Sequence, residues 1–164
     1  YALEIPPEGG NTSFLNMYKA WETLPEDVRE EIDDYTAKHD FTYTSAGERR
    51  KDYPEVTDPS QSPGPTHPLV RTHPETRRKC LYLGRRLNSY INGLTVPESE
   101  DLLDRLWLHA MQPRFRYEHV WRQGDVVMWD NRCTMHCVEP YDNTTTRRIM
   151  HRVTIVGEEN PIPG

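Results

Sequence analysis

The last third of the chain is written with a period of two, and this limits its fold more than any other feature. RFRYEHVW (114–121), DVVMWD (125–130) and RRIMHRVTIVG (147–157) read as strands, because side chains of an extended backbone point to opposite faces in turn. In the last segment Arg148, Met150, Arg152, Thr154 and Val156 share one face, and Arg147, Ile149, His151, Val153 and Ile155 share the other. Both faces are mainly apolar beyond Arg152, which predicts a buried strand. Yet arginines stand on each face. A buried guanidinium needs a negative partner. Either a protein carboxylate supplies it, or an anionic ligand gripped bidentately does.

Upstream the pattern is mixed. YALEI (1–5) reads as a strand that leads into a Pro-Pro and Gly-Gly turn. It has no initiator Met, so an upstream part of the protein is expected to be missing. TSFLNMYKAWETL (12–24) places Phe14, Met17, Tyr18 and Trp21 at helical spacing. TLPEDVREEIDDYTAKHD (23–40) opens on Thr23-Leu24-Pro25-Glu26, the pattern of a capping box. Residues 44–66 are rich in Pro, Ser, Gly and charge and are expected to form a long, mobile loop. HPLVRTHPETRRKCLYLG (67–84) reads as strand, turn and strand, with Pro74-Glu75-Thr76 in the turn. A second capping box, Thr95-Val96-Pro97-Glu98, predicts a helix to about Gln112 with Leu102, Leu103, Leu106, Trp107 and Ala110 as its core stripe. Late strands, with a helix inserted after earlier ones, predict a mainly β fold with inserted helices, a sandwich or jelly roll.

A chain of 164 residues is of a size for one domain. The net charge of −6 argues against a general nucleic-acid binder, which needs a basic face. No apolar stretch approaches the roughly 18 residues of a membrane span. The three cysteines, Cys80, Cys133 and Cys137, make no even disulfide framework, and a cytoplasmic location is expected. Nothing in the sequence specifies or excludes a homo-oligomer.

WDNRCTMH (129–136) ends an apolar run in a turn and then presents His136. A lone histidine often does no more than hydrogen-bond a loop. His136 with an arginine twelve residues later also suits a metal that carries a bound dicarboxylate. Cys133, His136 and Cys137 resemble half of a zinc site but lack a second pair of ligands at suitable spacing. His73-Pro74-Glu75 has the H-x-E form of a metal pair, yet lies in a turn that its proline breaks, and is read as a decoy. GGNTSF (9–14) reads as a turn and helix start, and alone assigns no ligand role to Thr12.

GGNTSF, AKHDF (37–41), HPLVRTHPET (67–76), WDNRCTMH and RRIMHRVTI (147–155) together resemble the C-terminal part of the taurine dioxygenase family. That family includes phenoxyalkanoate-herbicide and alkyl-sulfate dioxygenases. The resemblance covers nearly the whole chain. It implies a double-stranded β-helix (jelly roll), incomplete here, with residues 1–164 as the C-terminal part of a single dioxygenase domain. It further implies iron(II), with 2-oxoglutarate as cosubstrate and O2. His136 stands at the family's distal iron-ligating histidine. The family's H-x-D pair is absent from this sequence and is expected upstream of Tyr1. Arg148 stands at the arginine that grips the distal carboxylate of 2-oxoglutarate, and Thr12 at its hydroxyl partner. Arg152 matches the arginine near the anionic group of the primary substrate. Leu87 stands near a position often aromatic in taurine-type members, which turns the expectation away from taurine itself. The implied reaction is hydroxylation of a small anionic substrate (a sulfonate, sulfate ester or carboxylate) with release of succinate and CO2. Desaturation on the same scaffold is an alternative outcome. The alternative of another class is a catalytically inactive relative that binds a small organic acid without iron.

Overall fold

The computed structural model describes residues 1–44, 47–84, 86–157 and 160–164. In chain order these form β1 (Ala2–Glu4), β2 (Thr12–Asn16), α1 (Met17–Glu22), α2 (Glu26–Ile32), β3 (Thr36–Lys38), β4 (Thr66–Pro68), β5 (Val70–Thr72), β6 (Lys79–Leu81), β7 (Tyr90–Ile91), α3 (Val96–Ala110), β8 (Arg116–His119), β9 (Thr134–Val138), β10 (Ile149–Met150) and β11 (Ile162–Pro163). The strands pair antiparallel in four small sheets, ordered β1-β10, β8-β2-β9, β11-β5-β6 and β4-β3-β7. The chain is thus mainly β with few helices.

The core lies between the helices and the β5–β6 hairpin. Met17, Ala20 and Trp21 of α1 meet Leu102, Leu103, Leu106 and Ala110 of α3, with Leu69, Val70, Cys80, Leu81 and Leu83 beneath them. α3 is the helix expected from its stripe. The capping box is formed: the Glu98 carboxylate accepts from Thr95 N at 2.8 Å. The turn at Pro74-Glu75-Thr76 also joins two strands as expected.

Three segments differ from expectation. The first five residues of TSFLNMYKAWETL are strand β2, and only Met17–Glu22 is helical. Asn16 marks the change, its side chain accepting from Lys19 N at 3.1 Å. The spacing of Phe14 and Met17 is therefore a coincidence across a strand–helix junction. The capping box at Thr23 does not form. Thr23 closes α1 instead, its hydroxyl donating to Lys19 O at 2.8 Å, and α2 starts after Pro25. Residues 125–130 form no strand, and of 147–157 only Ile149–Met150 is strand, with His151 adding two 3.0 Å backbone hydrogen bonds to Tyr1. The expected buried strand at 147–157 is exposed, with Val153, Ile155 and Val156 at 93, 90 and 85%, and Met128 of the 125–130 segment is exposed too, at 89%. The extended backbone of 152–157 has no neighbouring strand among the described residues.

The 44–66 loop is tied down at several points, although Ser45 and Ala46 fall outside the described residues. Buried Asp40 accepts from Thr42 N, Tyr43 N and the Ser62 hydroxyl. Asp58 caps a single 3-10 turn at Pro59–Gln61.

Candidate functional site

β2 runs between β8 and β9, and its alternation separates a core face from a site face. Leu15 and its partner Met135 pack against the hydrophobic core. Thr12 and Phe14 point the other way. Thr12 is flanked by His119 and Val138, and Phe14 by Tyr117 and His136. So His136, read from sequence as following a turn, stands on strand β9 beside Phe14.

Its ring lies 4.9 Å from Trp129 and 6.1 Å from Phe14, centroid to centroid. Among the described residues its neighbours are rings rather than hydrogen-bond partners. Burial of the ring, followed by the nearby Arg152 cation, lowers the His136 pKa from its ordinary value. The imidazole is therefore neutral near pH 7, the state that binds a metal.

Arg148 reaches the same sheet from β10's N-terminal side. Its Nε donates to Gly10 O at 2.7 Å, and its Nη2 donates to Thr12 Oγ1 at 3.2 Å. Burial lowers its pKa, with Tyr141 acting the other way. No Asp or Glu among the described residues pairs with it, whereas Arg147 lies 3.7 Å from Glu4. Gly10, at φ +65°, makes the approach feasible. A Cβ there would meet Pro6 Cγ at 2.8 Å and Arg148 Cδ at 3.2 Å. The two arginines on one face of 147–157 thus part company: Arg148 is half-buried against Thr12, and Arg152 is exposed near His136. Leu87 stands apart, half-exposed on a turn whose Arg86 holds Glu100 and Asp104 of α3.

Two features of the site were not read from sequence. Trp121 donates from Nε1 to Thr12 Oγ1 at 2.9 Å. Alternation in RFRYEHVW puts Tyr117, His119 and Trp121 on one face, but only strand pairing shows that this face meets Thr12. The second is a network behind β9. The Asp130 carboxylate binds His73 Nε2 at 3.0 Å and Arg132 Nη2 at 2.6 Å, and Arg132 forks onto both oxygens of Glu75 at 3.0 and 2.9 Å. Arg132 first, then His73, holds the Asp130 pKa far below the usual carboxylate range, against the effect of burial.

His73, Asp130 and Cys133 place their ligand atoms within 4.8 Å of one another. They are better understood as a structural joint. His73 Nδ1 accepts from Glu75 N and Thr76 N, which leaves Nε2–H to donate to Asp130. Both ring nitrogens are thus committed. Burial raises the Cys133 pKa, so its thiol stays protonated. Cys137, at the end of the other zinc-like triplet, is exposed and bonds Glu139.

The family model described as "Taurine catabolism dioxygenase TauD, TfdA family" matches residues 1–154. The chain belongs to the TauD/TfdA family. TauD/TfdA relatives include an alpha-ketoglutarate-dependent 2,4-dichlorophenoxyacetate dioxygenase of Burkholderia sp. (strain RASC), 40% identical over 156 residues, which are 95% of this chain and 52% of the relative. An (S)-phenoxypropionate/alpha-ketoglutarate-dioxygenase of Sphingobium herbicidovorans is 39% identical over 163 residues, covering 94% of this chain and 55% of the relative. Among solved TauD/TfdA-like structures, AAD-2 in complex with Mn(II) and N-oxalylglycine superposes with a TM-score of 0.84 at 39% identity, over 98% of this chain and 63% of that one. A taurine dioxygenase from Burkholderia xenovorans gives 0.72 at 35% identity, over 90% and 48%. The chain spans about half the length of the curated relatives it matches.

Proposed function

We propose that the whole protein is an iron(II)- and 2-oxoglutarate-dependent dioxygenase that hydroxylates a small anionic organic substrate. The observation that carries this is the Arg148–Thr12 pair. A half-buried guanidinium with no carboxylate partner among the described residues, joined at 3.2 Å to a buried hydroxyl, is built to receive an external carboxylate. Thr12 stands on the sheet that carries His136, and Arg148 reaches it from the end of β10. The donors fit part of the metal centre. His136 offers a neutral imidazole, without a hydrogen-bond partner among the described residues, as one ligand of a 2-His-1-carboxylate triad, and the H-x-D pair for the other two positions is assigned to the rest of the protein. When bound, the iron centre with 2-oxoglutarate and O2 supplies the oxidising chemistry, and the products are hydroxylated substrate, succinate and CO2. This chain's own residues orient. Arg148 and Thr12 hold the distal carboxylate of the cosubstrate. Arg152, exposed near His136, holds the sulfonate, sulfate ester or carboxylate of the substrate. A substrate-binding role for Leu87 rests on the resemblance alone, since no contact among the described residues joins it to His136, Arg148 or Arg152.

The finer fold assignment is a jelly roll, incomplete in this chain, whose remaining strands cover the face bearing His136. Its support is the exposure of Val126, Met128, Val153, Ile155 and Val156 on extended segments, at 76 to 93%. The three free thiols suit a cytoplasmic protein, and no helix among the described residues is long and apolar enough to cross a membrane.

The test is His136→Ala in the full-length protein, with iron supplied and measured. Substrate-dependent formation of succinate is expected to be abolished. Near-normal turnover would remove His136 from the metal. Binding of the organic acid with no dependence on iron would favour the inactive-binder alternative.

A further inference from the structure

The Thr12 hydroxyl has an unusual set of neighbours. Trp121 Nε1–H donates to it at 2.9 Å and Arg148 Nη2 donates to it at 3.2 Å. An indole N–H and a guanidinium are donors only, and a hydroxyl has two acceptor lone pairs and one proton. Both lone pairs are therefore filled. The proton has to leave in the one direction that remains, and no group among the described residues accepts it. Thr12 is only 4% exposed, so this is a buried donor held ready beside an arginine without a carboxylate.

We propose that Trp121 is a positioning residue that aims the Thr12 O–H at the carboxylate held by Arg148, an inference that rests on the assignment of Thr12 and Arg148 to 2-oxoglutarate. Arg148 alone leaves one lone pair of the hydroxyl open. The group is then free to turn that lone pair toward the incoming carboxylate, which repels it. With the indole N–H in place, only the donating orientation remains. Trp121 is itself fixed. The His119 ring meets it edge-on at 4.6 Å and 84°. His119 Nε2 bonds Asp125 at 3.1 Å, and Asp125 also accepts from Arg122 N at 2.9 Å. The turn at Gly124-Asp125 is in turn bound to Ala2 of β1 by two backbone hydrogen bonds of 2.9 Å. The donor is thus built into the fold rather than carried on a free side chain.

The test is a double-mutant cycle in the full-length protein, loaded with Mn(II) so that no turnover occurs, with the dissociation constant of 2-oxoglutarate as readout. Trp121→Phe is expected to weaken binding by about 3- to 10-fold, the scale of one neutral hydrogen bond. In a Thr12→Val background the same change is expected to add nothing, because the hydroxyl it orients is gone. A residue that only supports the fold would give additive losses. Should the Phe variant fold poorly, benzothienylalanine at position 121 keeps the ring size and removes only the N–H. Wild-type affinity in either Trp121 variant, or additive losses in the cycle, would overturn the inference while leaving Thr12 and Arg148 in place. If Thr12→Val and Arg148→Ala also bind 2-oxoglutarate normally, the assignment of the pair and the inference fall together.

Discussion

Arg148 and Arg152 lie four residues apart and meet different surroundings, so they are expected to serve different anions. Arg148→Ala removes a charged grip worth roughly 1.5–3 kcal/mol, so affinity for 2-oxoglutarate should fall about 10- to 150-fold. Arg148→Lys should restore only part of this, since an ammonium lacks the two-pronged fork. Arg152→Ala should instead weaken the primary substrate and leave 2-oxoglutarate nearly unchanged. Saturation curves for each ligand decide the matter, and equal loss of both in both variants would make the arginines structural. Arg148 drew notice from the residues, twelve positions after His136 on a strand predicted to be buried, whereas Thr12 was singled out by resemblance alone. From the residues themselves, GGNTSF gave no reason to choose Thr12. Trp121 was illegible because its contact spans a sequence separation of 109 residues and leaves no local periodic trace.

Elements were legible where the forces that shape them are local. The box at Thr95 forms because its partner Glu98 is three residues away, and the Glu98 carboxylate accepts from both the Thr95 N and the Thr95 hydroxyl, at 2.8 and 2.6 Å. Thr95→Ala should lower stability by about 1 kcal/mol, measured by urea unfolding. The similar pattern at Thr23 fails because α1 ends there and takes the hydroxyl first. The segments 125–130 and 152–157 have strand character in sequence but no strand partner among the described residues. β9 depends on a longer-range joint. Asp130 binds both His73 and Arg132, and its own carbonyl accepts from Thr134 Oγ1 at 2.6 Å at the start of the strand. Asp130→Ala leaves the buried His73 N–H without an acceptor and should cost about 1–3 kcal/mol. It should also weaken metal binding at His136. Unchanged stability and metal affinity would show that the joint does not hold β9.

At the scale of the molecule, mainly-β character was legible, although the period-two segments of the last third are strands only over Arg116–His119 and Ile149–Met150, and the division between core face and site face was not legible. That division follows from the register of β2 against β8 and β9. Sequence also gave no sign of the cluster of His39, His67 and Tyr82, whose rings lie 4.9 to 5.5 Å apart. Burial, and then the neighbouring His67, pushes the His39 pKa down from 6.5 to about 4, against a backbone hydrogen bond with Tyr82. A depressed histidine pKa means that the unfolded chain binds a proton the folded one refuses. Stability from this site is therefore full above about pH 6.5 and declines as pH falls toward 4, at no more than about 1.4 kcal/mol per unit. Urea unfolding of the full-length protein at pH 7.5 and pH 5 should show the loss, and His39→Gln should reduce it. An unchanged pH dependence in that variant would place the sensitivity elsewhere. The most direct test of the site is a crystal structure of the full-length protein with Mn(II) and N-oxalylglycine, an unreactive analogue of 2-oxoglutarate. Manganese is expected on a His136 ring nitrogen, with the distal carboxylate of the analogue forked onto Arg148 and accepting from the Thr12 hydroxyl. Metal bound away from His136, or a carboxylate that leaves Arg148 and Thr12 untouched, would contradict it.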